Sequence, residues 1–336
     1  MAAAAGLAYP FEEALRDAER GRIDLGRATA LLEGSRAEEN AQLLFATAAA
    51  LRDERLGRTL TLTAHIHMIT RCALSPACNY CSLSSSLPRV VAERDRMTAR
   101  EVESAVRYAV RRGVRHFVLV GGTDPKGSDK AVRDLVDLLL AEFDVELAVD
   151  VGPSLSGRTV SWLNGRGVRP IYCSTETVDP GSFRDAKPGD DLASRLEFMK
   201  QVEREGAALG NVVMNGLGTR TDLLRSLLHC RAFHQLTHLN VSTFQPVPGT
   251  PWARRPRASV RDSLAAVAIA RLLLPAVHTS LAEVGLEDPR GRGRNPTQLD
   301  AGAGNTLAAI LCYKHQRFDE LDRLRRTADL PGFEVS

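Results

Sequence analysis

Arg115-His-Phe-Val-Leu-Val120-Gly121-Gly122-Thr123-Asp124-Pro125 is a short apolar run that ends on two glycines and an Asp-Pro turn signal. A helical stretch, Lys130–Phe143, follows it, and then a second short apolar run, Glu146–Val151. Strand, helix and strand in that order make a βαβ unit. The alternation continues on both sides. Further strands are predicted at Thr61–Met68, Arg169–Ser174, Asn211–Asn215, Leu239–Phe244 and His278–Glu283, with a weaker one near Asn305–Ala308. Helices at Ala99–Arg112, Asp191–Gly206, Thr221–Gln235 and Val260–Leu274 fall between them. Eight strands over roughly 250 residues predict an α/β fold, a TIM-type (β/α) barrel that is complete or slightly open. A doubly wound open sheet competes with it, but that fold gathers its functional residues at one switch point. Here candidate residues follow nearly every strand, which favours the barrel.

Residues 10 to about 57 read as helix throughout, with apolar residues three and four apart, among them Phe11, Ala14, Leu15, Leu31 and Leu32. Residues 1–58 are therefore expected to form an N-terminal helical lead-in, 59–310 the barrel, and 311–336 a C-terminal helix and tail. The short tail after Pro331 is not expected to matter.

The chain has 336 residues, 44% of them hydrophobic and 25% charged, with a net charge of +3. Such a balance excludes a disordered tail protein and disfavours a nucleic-acid binder held by bulk charge. Only five of the 44 basic residues are lysine, which reads as coding bias. No stretch reaches the ~18 uninterrupted apolar residues of a membrane span, and no basic region precedes the apolar start. Six cysteines in a chain of this length are too few for a disulfide framework. A reducing cytoplasm is the expected location.

Three of those cysteines fall together in Arg71-Cys72-Ala-Leu-Ser-Pro-Ala-Cys78-Asn-Tyr80-Cys81, directly after the first strand. Three thiolates on one loop can hold three irons of a [4Fe–4S] cluster and leave the fourth open to an external ligand. Structural zinc needs a fourth protein ligand, for which His65 and His67 are the nearest candidates. Both readings, and that of unliganded core cysteines, follow from the residues alone.

With these segments in view, the chain resembles the radical S-adenosylmethionine (SAM) superfamily, most closely the group of biotin synthase, the [FeFe]-hydrogenase maturase and methylornithine synthase. Cys78-Asn-Tyr80-Cys81 resembles that family's Cys-x-aromatic-Cys, Gly121-Gly122-Thr123 its SAM-amino motif, and Ser174-Thr-Glu176 its ribose-holding stretch. Arg195 matches a helix arginine that pairs with the SAM carboxylate, and Gly216-Leu217 resembles an adenine-side turn. The family's usual spacing is Cys-x3-Cys-x2-Cys, whereas this chain has Cys-x5-Cys-x2-Cys, with Leu74 at the usual first position.

The resemblance implies cleavage of SAM at the cluster to a 5′-deoxyadenosyl radical, which takes hydrogen from a small metabolite or cofactor precursor. It implies a one-electron donor such as a flavodoxin or ferredoxin, and neither nucleic acid nor membrane as partner. Cys173 and Glu283 are the candidate catalytic residues at the substrate end, and Cys173 is also a candidate ligand to a second iron–sulfur cluster. That cluster would suit a sulfur-inserting enzyme, although the biotin synthase ligand positions fall here on Val118, Val149, Gly210 and Ser280. A non-catalytic iron–sulfur or zinc scaffold is the alternative of another class. Two loops rich in proline and arginine, starting at Thr250 and Asp288, are either solvated or cover the barrel mouth.

Overall fold

The computed structural model describes residues 9–81, 83, 96–282, 306–311 and 334–335. Its core is a parallel sheet of β1 (Thr59–His67), β2 (His116–Val120), β3 (Glu146–Asp150), β4 (Ile171–Tyr172), β5 (Leu209–Asn215), β6 (Leu236–Thr243), β7 (His278–Ala282) and β8 (Thr306–Leu311). The spatial order is β7-β6-β5-β4-β3-β2-β1-β8, so the sheet curls in chain order and β8 returns to the far side of β1. Among the described residues no ladder joins β7 to β8. The barrel is of the slightly open kind. The tail contributes more than expected: β9 (Glu334–Val335) pairs with β1 beside Thr59 and Leu60.

Side chains alternate across the strands, as period-2 geometry requires. In β1, Thr61, Thr63, His65 and His67 face the barrel interior, while Leu62, Ala64 and Ile66 join the outer core under the helices. In β6, His238, Asn240 and Ser242 face inward and Leu239 and Val241 outward.

The helices between strands are α4 (Ala99–Val110), α5 (Asp129–Glu142), α6 (Gly157–Gly165), α7 (Pro180–Ala186), α8 (Leu192–Arg204), α9 (Arg220–His229) and α10 (Val260–Leu273). Each of the longer ones buries a stripe at helical spacing, such as Val102, Ala105, Val106 and Ala109 in α4. Their starts are fixed by caps. Thr98 with Glu101 and Thr219 with Asp222 form capping boxes, and the Asp191 side chain accepts from the Ser194 N–H.

The lead-in is three helices, not one: α1 (Phe11–Glu19), α2 (Leu25–Gly34) and α3 (Glu38–Leu56). Gly21, at φ +73°, permits the first break, and Asp24 caps the restart by accepting from Arg27 N–H at 2.9 Å. These helices pack on α9 and α10, with Arg261 Nε donating to the Ser35 carbonyl at 3.0 Å. They lie on the outside of the barrel and supply no residue to its interior cavity.

Candidate active site

The loop carrying Cys72, Cys78 and Cys81 leaves β1 and is tied down by neighbouring strand ends. Ile69 N–H donates to the Val120 carbonyl (3.1 Å), Gly122 N–H to the Thr70 carbonyl (3.1 Å) and Ala73 N–H to the Thr123 carbonyl (2.9 Å). Gly122 is bare for a reason that the motif alone did not give. A Cβ there would lie 2.2 Å from the Cys72 backbone, so the cysteine loop itself occupies the side-chain space. From the other side, Asn79 N–H donates to the Ala186 carbonyl (2.8 Å), and Trp252 N–H donates to the Asn79 carbonyl (3.0 Å).

The loop's apolar surroundings are Leu74, Leu217, Phe244 and Trp252, all buried and packed with Cys78 and Tyr80. Leu217 is thus beside the cysteines, held there by the turn at Gly216 (φ +102°), where a Cβ would press on Phe244 and Ala258. The segment after Thr250 covers the cysteine loop. Trp252 stacks edge-on to Phe244 at 5.7 Å and lies 6.0 Å from the Tyr80 ring.

A chain of buried charge continues from Tyr80. Its hydroxyl donates to the Glu176 carboxylate, which also meets Lys187 Nζ at 2.6 Å. Lys187 lies 3.6 Å from Asp190, and Asp190 accepts from Arg195 Nε at 2.7 Å. Arg195 donates further to the Ser174 carbonyl (2.8 Å) and to Thr123 Oγ1 (3.0 Å). Lys187 and Arg195 have only 4% and 5% of their side chains exposed. Glu176 adopts φ +65°, a strained value for a residue with a Cβ. Hydrogen bonds to the Val212 carbonyl and from Met214 N–H enforce it.

The donor set suits an iron–sulfur cluster. Burial pushes the Cys78 thiol well above its usual range and the Cys81 thiol up to about 11, and the neighbouring thiols and Glu176 add to this. Lys187 and the Leu83 N–H, 3.3 Å from Cys81 Sγ, pull the other way. Three crowded thiolates therefore need positive charge among them, which ferric and ferrous iron supply. No three His, Cys, Asp or Glu side chains among the described residues are placed to share one metal ion. A cluster does not ask for that, since each cysteine binds a different iron. His65 and His67, the candidate zinc partners, line the barrel interior instead.

Below the loop the barrel holds a cavity of about 660 Å³, whose lining runs from Glu176, Ser174 and Met214 at the C-terminal strand ends to His116, His238 and His278 near the opposite end. Ser174, expected at the ribose, donates its hydroxyl to Asp150 at 2.8 Å. Gly121 leaves room for Thr70, whose Oγ1 would be 2.0 Å from a Cβ at that position.

One expectation changes. Cys173 does not reach the cavity. Tyr172 faces inward, so its neighbour faces the helix layer, where Cys173 Sγ is fully buried and donates to the Arg195 carbonyl at 3.4 Å. Burial pushes its thiol up to about 12, and it is not among the residues that line the cavity. Arg195, matched in sequence to a SAM-carboxylate arginine, donates here to Asp190, the Ser174 carbonyl and Thr123 Oγ1, and so also braces the loops it joins. Glu283, Cys312 and the loop starting at Asp288 lie outside the described residues. Lys187, Asp190 and Asp150 were not anticipated.

No protein-family model matches the chain. In sequence it is similar to an uncharacterised protein of Methanocaldococcus jannaschii, 24% identical over 234 residues (69% of this chain, 62% of that protein). It is similar to the [FeFe] hydrogenase maturase subunit HydE of Thermotoga maritima, 27% identical over 236 residues (70% and 66%). It is also similar to the biotin synthase of an Anaeromyxobacter species, 25% identical over 284 residues (80% and 76%). The chain spans 62% and 66% of the length of the first two of these relatives. Among solved structures, methylornithine synthase matches with a TM-score of 0.78 at 19% identity, covering 96% of this chain and 97% of that one. Streptococcus suis SuiB bound to S-adenosylmethionine matches with a TM-score of 0.52 at 15% identity, covering 88% and 72%. These likenesses show the barrel fold. No helix among the described residues is long and apolar enough to cross a membrane.

Proposed function

We propose that the chain, similar to the hydrogenase maturase subunit and biotin synthase above, is a biotin-synthase-like radical SAM enzyme that binds a [4Fe–4S] cluster and SAM and acts on a small metabolite or cofactor precursor. The observation that carries this reading is the placement of the cysteine loop. It lies over the mouth of the barrel cavity, at the C-terminal ends of the strands, where barrel enzymes build their sites. When bound, the cluster and SAM supply one-electron cleavage to a 5′-deoxyadenosyl radical that takes hydrogen from an unactivated carbon.

The rest is done by this chain's own residues. Cys72, Cys78 and Cys81 hold the irons. Leu74, Leu217, Phe244 and Trp252 keep bulk water from the loop. Gly121, Gly122 and Thr123 bring the β2 end against the cysteine loop, and Glu176 offers its carboxylate to the ribose hydroxyls. Tyr80 and Lys187 hold that carboxylate in one orientation, so it needs no reorganisation on binding. Arg195 acts as a positioning residue through Thr123 and Ser174. A flavodoxin or ferredoxin is the proposed electron donor.

Sulfur insertion through Cys173 loses its basis, because that thiol is turned from the cavity. Anaerobic reconstitution with iron and sulfide, followed by dithionite and SAM, tests the reading. The expected result is about four irons per chain and release of 5′-deoxyadenosine. Bound zinc with no iron would overturn it in favour of a scaffold.

A further inference from the structure

Buried charge in the upper barrel does not balance. Lys187 and Arg195 are the cations, and Glu176 and Asp190 are the anions paired with them. Asp150 is a third carboxylate, at the C-terminal end of β3, facing the cavity. Among the described residues it has no ion pair. Its contacts are the Ser174 hydroxyl at 2.8 Å and the Gly152 N–H. Arg195 donates to Asp190, Ser174 and Thr123 and acts on Asp150 across space.

A carboxylate has about four lone-pair sites, and the contacts with Ser174 and Gly152 use half of them. Burial is the main influence that pushes the Asp150 carboxyl above its usual range, the response of a charged group without a counter-ion. Among the described residues, the one arginine or lysine that lines the cavity is Arg169, whose N–H donates to the Leu147 carbonyl near the N-terminal end of β3, away from Asp150. His238 is held neutral by burial and by the adjoining His278 and His116, its pKa pushed down to about 3. The side chains beyond Asp150 are neutral hydrogen-bonding groups. Tyr172 is its cross-strand partner on β4, and Ser280 donates to Asn240 farther round the wall.

We propose that Asp150 is the substrate-anchoring residue and that the substrate carries an ammonium group, which completes this unpaired carboxylate while Tyr172 and Asn240 take its neutral polar part. The inference rests on the reading of the cavity as the substrate chamber of a radical SAM enzyme. It goes further by naming the substrate's chemistry, since a buried carboxylate is stabilised by a hydrogen-bonded cation and penalised by an anion.

Three chain-matched probes test it: pentylamine, 1-pentanol and pentanoate, each titrated calorimetrically into the full, cluster-loaded chain at neutral pH. Pentylamine is expected to bind at least tenfold more tightly than the other two. Asp150→Asn is expected to abolish that preference while binding of 1-pentanol and SAM stays within twofold. Asp150→Glu, which keeps the charge, should retain the preference, and serves if the asparagine variant does not fold. Equal affinities, tighter pentanoate, or an amine preference that survives Asp150→Asn would overturn the proposal. So would a loss of SAM affinity in Asp150→Asn with the probe ranking unchanged, since the carboxylate would then serve the nucleotide. Absence of 5′-deoxyadenosine from the wild-type chain sinks the radical reading separately and leaves the probe ranking as its own measurement.

Discussion

At the C-terminal end of the barrel, Glu176, Lys187, Asp190 and Arg195 are buried as charges and matched in pairs. Near the N-terminal end, His238 and His278 face each other across β6 and β7 and stack at 4.9 Å with their planes 16° apart. Burial is the leading cause that depresses both imidazoles, so this stacked pair is polar without being charged. The strands are the same at both ends, and the loops make the difference. Those after β4 bend far enough to bring Lys187 and Asp190 beneath Glu176, so each charge finds its complement. Strand interiors offer only every second residue to the cavity, with no freedom to choose a partner. Where loops assemble, buried charges find partners, whereas the stacked histidines on the strands are held neutral.

The largest test of that contrast is the cysteines. Replacing Cys72, Cys78 and Cys81 together by alanine is expected to remove all cluster iron and the brown absorption, read by iron assay after anaerobic reconstitution. Cys173→Ala and Cys230→Ala should keep full iron, since both thiols lie in the helix layer. Iron retained by the triple variant would break the assignment.

Next comes Lys187→Met. It leaves Glu176 buried without its cation and should destabilise the fold by about 3–5 kcal/mol, measured by denaturant titration. A loss under about 1 kcal/mol, the range of exposed pairs, would mean that the network is solvated and that the contrast between the two ends is weak.

Gly122→Ala should be smaller, about 1–3 kcal/mol from overpacking, but it should also loosen the cysteine loop and slow iron uptake. Gly165→Ala is its control. A Cβ there meets nothing within 4 Å, and stability should change by no more than about 1 kcal/mol.

The smallest effect is confined to acid. His238 has its pKa pushed down from the usual value to about 3, so the native state binds fewer protons than the unfolded chain between that pH and ~6.5. Stability contributed by this residue is complete above ~6.5 and is lost as the pH falls, at up to ~1.4 kcal/mol per pH unit. His238→Leu should flatten that slope in pH-dependent unfolding while leaving the melting curve above pH 7 nearly unchanged. An unaltered acid slope would remove His238 as its source.

Much of this is legible in one dimension because it depends on local periodicity. Thr61, Thr63, His65 and His67 alternate with Leu62, Ala64 and Ile66, and that alone assigns one set to the cavity and the other to the helices. The cysteine spacing likewise fixes a loop able to offer three thiols. Cys173 escapes such a reading because of parity. β4 is reduced to Ile171–Tyr172 because Pro170 has no N–H to give the ladder and the chain leaves the sheet before Glu176 returns to it. Over two residues an alternation cannot be seen.

The sequence by itself determined the parallel barrel, the helices that wrap it and the three-sulfur loop at its mouth. Each follows from spacings within about twenty residues, where hydrophobic period and turn chemistry act directly. Only the tertiary structure decided which charges are paired. Lys187, Asp190 and Asp150 carry no local signal of pairing, and their neighbours are set only when separate strand ends are brought together. The energy of a buried charge depends on neighbours distant in the chain, and no local pattern records them.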